Sequence, residues 1–165
     1  MYKLANLTLR DALLQSSAAY AERPALGMVD RSTIVLYREL APLAAAFASR
    51  LAATGASRGD RVVILSENRP EWGVAYLGAA AAGFVVVPIL TDFHPDQIAN
   101  IIAHAEAKVV VVSSKLKAKL GSYAGAVIPV ESLADADARR MAASADVARA
   151  FPPVGEDDLA AILYT

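Results

Sequence analysis

The sequence predicts an α/β fold: a mostly parallel sheet flanked by helices, with a β-hairpin near the start. Three observations predict it. The runs at residues 62–65, 85–88 and 109–112 are β-branched and each has the length of a buried strand. The segments between them carry apolar residues at helical spacing. Turn residues punctuate the boundaries, with Gly59-Asp60 before the first run and Gly83 before the second. Strand–helix–strand units of this kind build parallel sheets, so the architecture resembles a Rossmann or flavodoxin-like subdomain.

In chain order, Thr8 can cap a first helix, with Asp11 three residues on and Leu9, Ala12 and Leu13 among its apolar positions. Arg23-Pro24 stops that helix near Tyr20. Residues 25–29 and 33–37 are short apolar runs around Asp30-Arg31-Ser32, the pattern of a hairpin. A helix follows with Leu40, Leu43, Ala44, Phe47 and Leu51 on its inner side and Gly55 closing it. Pro42 leaves its start open. A start at Tyr37 would put the proline beyond the first turn and kink the helix, whereas a start near Leu40 avoids that.

In the central unit Asn68 is placed as a helix cap, with Pro70 in the first turn and Glu71 in the capping-box position. Trp72, Ala75, Tyr76 and Ala79 then fall on one face, and burial of the Trp72 ring is expected. Pro95 opens the next helix, whose stripe is Ile98, Ile101, Ile102 and Ala105. Residues 115–120 form a short basic helix or turn, and 126–129 another strand. Residues 131–150 read as a surface helix or helical linker. Asp157-Asp158 precedes a last apolar run, 159–164, read as a strand.

At 165 residues, the chain is a single α/β region over 1–165. With 56% hydrophobic and 20% charged residues it is not a disordered chain. A net charge of −1 and no run of Lys or Arg give no basis for a nucleic-acid partner. There is no cysteine, hence no disulfide, thiolate nucleophile or cysteine metal site, which fits the cytoplasm. Residues 72–91 carry no charge, yet their Ala/Gly-rich half and Gly83 suit a buried helix and strand better than a membrane span.

No self-sufficient active site emerges. His94 and His104 lack metal-ligand spacing and read as a cap or surface imidazoles. Ser16-Ser17, Ser113-Ser114 and Ser122 lack a nucleophile setting. Gly55, Gly59, Gly78 and Gly83 are too scattered to cradle a phosphate. Glu67 and Glu71 are explained by helix capping, and Asp157-Asp158 by a solvated turn. Open α/β sheets bind ligands beyond the carboxyl ends of their strands, and the last run reaches that end at Tyr164-Thr165. The expectation is a chain cut at its functional edge.

The order Tyr37-Arg38-Glu39-Leu40, Arg58-Gly59-Asp60-Arg61-Val62, Ser66-Glu67-Asn68-Arg69-Pro70-Glu71-Trp72, Ala82-Gly83-Phe84-Val85-Val86-Val87-Pro88 and His104-Ala105-Glu106-Ala107-Lys108-Val109 resembles the AMP-forming acyl-CoA synthetases. That superfamily includes firefly luciferase and the adenylation domains of peptide synthetases. The Ser-Glu-Asn-Arg-Pro-Glu-Trp form looks most like its long-chain fatty acyl branch. Leu36 departs from the pattern, which often has a small hydroxyl residue there. The resemblance implies that residues 157–165 run directly into the loop that holds the ATP phosphates. It implies ATP, Mg²⁺ and coenzyme A as cofactors of the parent enzyme, and a carboxylic acid, of the fatty-acid class, as its substrate. Only Tyr164 and Thr165, at the approach to that loop, carry over as cofactor-binding positions; no catalytic or metal residue does. The chain alone is then inactive scaffold and self-associates through exposed apolar surface. The rival reading is a self-contained flavodoxin-like binding or interaction domain without enzymatic activity. A nucleotide-binding enzyme of another family lacks the glycine loop it would need.

Overall fold

The computed structural model describes residues 6–30 and 32–164. The Thr8 hydroxyl accepts the Asp11 N–H at 3.1 Å, and helix α1 (Leu9–Ala19) begins there as its cap predicts. Strands β1 (Pro24–Gly27) and β2 (Ile34–Leu36) pair antiparallel in the expected hairpin, one or two residues inside the predicted ends. In its turn the Asp30 carboxylate accepts the Ser32 N–H at 2.9 Å.

Helix α2 (Tyr37–Ala53) takes the earlier of the two possible starts and contains Pro42. A proline there removes one backbone bond to the preceding turn. The extra turn is held by contacts that a start at Leu40 would forfeit. Glu39 reaches back to accept the Leu36 N–H at 2.8 Å and pairs with Arg139, while the Tyr37 ring lies 5.7 Å from that of Tyr20. Leu36 therefore needs no hydroxyl of its own for the helix to begin.

The three β-branched runs form β3 (Arg61–Leu65), β4 (Val85–Pro88) and β5 (Val109–Val112), joined by β6 (Ala126–Pro129) in one parallel sheet of order β4-β3-β5-β6. Val63 sits level with Val87 on one side and Val110 on the other, and Val110 with Val127. Alternate side chains go to opposite faces. Val62, Ile64, Val86, Val109 and Val111 face α1, α2 and helix α3 (Pro70–Ala81). Val63, Leu65, Val87, Val110 and Val112 face α4 (Pro95–His104) and the short 3-10 helix Lys117–Leu120. Both faces are thus covered, which is why these strands are continuously apolar. The crossover from β3 to β4 runs on the α3 face and that from β4 to β5 on the α4 face. Right-handed crossovers in opposite directions require this.

Two local expectations for α3 fail. Its cap is Arg69, with no side-chain cap bond, and Asn68 is exposed. Its buried stripe is Glu71, Val74, Ala75, Gly78 and Ala79, while Trp72 and Tyr76 stack at 5.2 Å on the half-buried flank. Trp72→Ala is therefore expected to cost roughly 2 kcal/mol in a urea titration, below the 3–5 of a fully enclosed aromatic. A loss above 4 would mean that the ring is enclosed.

Residues 131–150 fold as two helices, α5 (Ala136–Ala143) and α6 (Val147–Ala150), after a 3-10 turn at Val130–Leu133. Asp135 and Asp146 cap them, and Ala138 and Ala142 are buried in the α2-side core. The alanines that suggested a surface helix are there because small residues let α5 approach α2. The final run meets the sheet beside β4 through an isolated bridge at Ala161, rather than as a full strand. No helix among the described residues is long and apolar enough to cross a membrane.

Candidate functional site

The order β4-β3-β5-β6 reverses chain direction between β3 and β5. At such a switch point the loops leaving adjacent strands diverge to opposite faces and open a crevice beyond the carboxyl ends. Here the loop after β3 brings Ser66, Glu67 and Arg69, and the loop after β5 brings Ser113, Ser114 and Lys115. Glu131, from the turn after β6, joins them. Arg69 is the centre. It donates to both oxygens of the buried Glu71 at 3.0 and 3.2 Å, and to Glu131 Oε1 at 3.1 Å. The same Glu131 oxygen accepts the Ser114 N–H at 2.9 Å and the Ser114 hydroxyl at 3.1 Å. Lys115 approaches Glu67 at 3.7 Å.

The charges are mutually adjusted. The Ser113 hydroxyl, then the backbone amide of Glu67 itself and the nearby Lys115 and Arg69, hold the Glu67 carboxyl below the usual glutamate range. Burial works to raise Glu131, but the Ser114 N–H, its own amide, the Ser114 hydroxyl and Arg69 outweigh it and leave it lowered. The hydrogen bonds that Arg69 donates to Glu71, with the charges of Glu71, Glu131 and Glu67, raise Arg69 further above its ordinary value. Lowered carboxyls contribute stability that is complete above their unfolded-state pKa and is lost as pH falls through the folded-state value. Thermal stability should therefore drop on acidification below about pH 4. The drop should be smaller in Glu67→Gln; an equal drop in the variant would remove Glu67 from the account.

Of the residues read from the sequence, Tyr164 is half-buried beside α4, and Thr165 lies outside the described residues. Glu71, read as a helix cap, is instead the buried partner of Arg69. Glu67, Ser113 and Ser114, set aside individually, are brought together by strand order. No local pattern announces that meeting, since Arg69 and Glu131 are 62 residues apart. His94 does cap α4, where its backbone N–H donates to Gln97 at 2.8 Å. Gly59 and Gly83 take positive φ at turns, as their placement before strands suggested. Among the described residues no group of three or more His, Asp or Glu side chains is arranged to hold a metal ion. The largest groove among them, about 800 Å³, lies at the opposite, amino-terminal edge of the sheet, walled by Ala52, Ala56, Phe84, Ala145 and Arg149.

The sequence and the fold were compared with known proteins. The family model described as AMP-binding enzyme matches residues 13–165. A long-chain-fatty-acid–CoA ligase of Escherichia coli O157:H7 is 31% identical over 108 residues, covering 65% of this chain and 19% of that ligase. A linear gramicidin synthase of Brevibacillus parabrevis is 33% identical over 142 residues, 86% of this chain and 2% of that protein. Among solved structures, VinN in complex with 3-methylaspartate superposes with a TM-score of 0.86 at 26% identity, over 98% of this chain and 45% of VinN. A fatty acyl CoA synthetase of Mycobacterium tuberculosis superposes at 0.77 and 26% identity, over 96% and 32%. The chain thus spans less than half the length of each of these proteins. The family match extends over almost the whole chain and both sheet faces, and on that ground the chain belongs to the AMP-binding enzyme family.

Proposed function

We propose that this chain, residues 1–165, is the N-terminal scaffold of the large domain of an acyl-CoA synthetase. On this reading the enzyme works in the cytoplasm and joins a fatty carboxylic acid to coenzyme A. The acid and ATP would give acyl-AMP and pyrophosphate, and the thiol of coenzyme A would then release AMP. The observation that carries the reading is the motif Ser66-Glu67-Asn68-Arg69-Pro70-Glu71-Trp72. Its members are the ones that organise the crevice at the sheet's carboxyl edge. The family match over residues 13–165 favours an adenylate-forming parent over a self-contained non-enzymatic domain.

The described residues do not themselves fit ATP, Mg²⁺ or coenzyme A. The carboxylates of the crevice would repel a polyphosphate, and its cations are already paired to those carboxylates. No step of the reaction is drawn through them. A second reading, an amino-acid-activating adenylation domain, is favoured by the 33% identity to the gramicidin synthase over 86% of the chain.

Pyrophosphate exchange with ATP separates the two. The polypeptide extending beyond residue 165 should exchange in the presence of fatty acids; exchange with amino acids alone would select the second reading. The 165-residue chain by itself should show no exchange. Activity that survives its repurification would overturn the scaffold assignment. On the same reading Leu90, Leu159 and Leu163, 59, 60 and 71% exposed, draw copies of this chain together. Sedimentation at rising concentration should show association; a strictly monomeric species would remove that expectation.

A further inference from the structure

The last described residue is tied to the fold by a side-chain contact. The Tyr164 hydroxyl lies 2.7 Å from His104 Nδ1, and the rings meet edge to face with centroids 5.7 Å apart. His104 ends α4, 60 residues earlier in the chain. The segment before Tyr164 is held to the sheet by backbone bonds from Val86 N–H to the Ala160 carbonyl and from Ile162 N–H to the Val86 carbonyl, each 2.9 Å. Ala161 faces the α3-side core, and Ile162 and Tyr164 pack on the α4-side core. Past Ile162, the heading of the chain depends on where Tyr164 is held.

We propose that His104 is a positioning residue: by holding the Tyr164 hydroxyl it sets the direction in which the chain leaves the sheet edge. This rests on the reading above in one respect, that the phosphate-binding loop follows Tyr164. Loop position matters there because a small misplacement of phosphate ligands costs binding before it costs chemistry. The contact works in either neutral tautomer. Nδ1 accepts from the phenol when unprotonated, and donates to the phenol oxygen when it carries the hydrogen. What the contact needs is a polar atom at the Nδ1 position. Asparagine keeps one there, whereas phenylalanine keeps the ring and removes it.

The test uses amide hydrogen exchange and histidine ¹⁵N shifts on this chain. His104→Phe and Tyr164→Phe should each speed exchange at Ile162 roughly fivefold, the net worth of one hydrogen bond. Val63 and Val110 in the sheet centre should not change. His104→Asn should restore the slow rate, and Tyr164→Phe should move the His104 Nδ1 resonance. An unmoved Nδ1 resonance, or asparagine behaving like phenylalanine, would overturn the proposal. In the longer polypeptide His104→Phe should raise KM for ATP about fivefold with little change in kcat. An unchanged KM alongside the exchange effect would confine His104 to structure and equally overturn the positioning role. Because exchange and ¹⁵N shifts need no turnover, a failure of ATP chemistry would count against the proposed function alone.

Discussion

Replacing Arg69 with leucine is expected to destabilise the chain by about 3–5 kcal/mol, read as a fall in the urea midpoint at unchanged slope. The Glu71 side chain is only 8% exposed, at the base of α3 among Val74 and Ala75, and Arg69 supplies its two hydrogen bonds. Removing the guanidinium leaves a carboxylate in apolar surroundings, and the desolvation that the pair had offset becomes a net cost. Glu131 loses less, because Ser114 still donates to it twice. The control is Arg69→Leu combined with Glu71→Leu, which should recover most of the loss, since well-packed apolar residues often replace a buried pair without penalty. A single-variant loss below about 1 kcal/mol would mean that Glu71 finds water or another donor.

The second large effect is expected at Gly78. A Cβ there would lie 2.8 Å from the Ala44 carbonyl oxygen and 3.2 Å from the Ala44 Cα, both backbone atoms of α2, and 3.0 Å from the Phe47 ring. Backbone cannot rotate aside as a side chain can, so α2 and α3 would have to separate. Alanine at this position gains about 1 kcal/mol of helix propensity over glycine. Overpacking costs about 1–3 kcal/mol and here meets two fully enclosed neighbours, Ala44 and Phe47. Gly78→Ala should therefore lose about 1–2 kcal/mol net, and Gly78→Leu about 3 or more. A neutral Gly78→Ala would show that the helices relax apart at little cost.

These two sites also mark where reading the sequence stopped short. The strands at 62–65, 85–88 and 109–112 were legible because a strand enclosed on both faces is apolar at every position. Thr8 and Pro95 were legible because a cap or a first-turn proline acts within four residues. The burial face of α3 was not. Nearly all its residues are apolar, so the sequence has no polar side to set its phase, and the close approach of Gly78 to α2 sets it instead. Asn68 and Glu71 match a capping box in spacing, yet Glu71 turns inward because Arg69 meets it there.

Interactions between neighbours along the chain were enough to specify the type and rough limits of most elements, the parallel character of the sheet and the order of motifs marking the family. Strand order needed the packed fold, and with it the choice of which loops meet. Arg69 finds Glu131, and His104 finds Tyr164, across 62 and 60 residues. Such contacts follow from right-handed crossovers on opposite faces of one sheet, a property of the folded whole that no local stretch encodes.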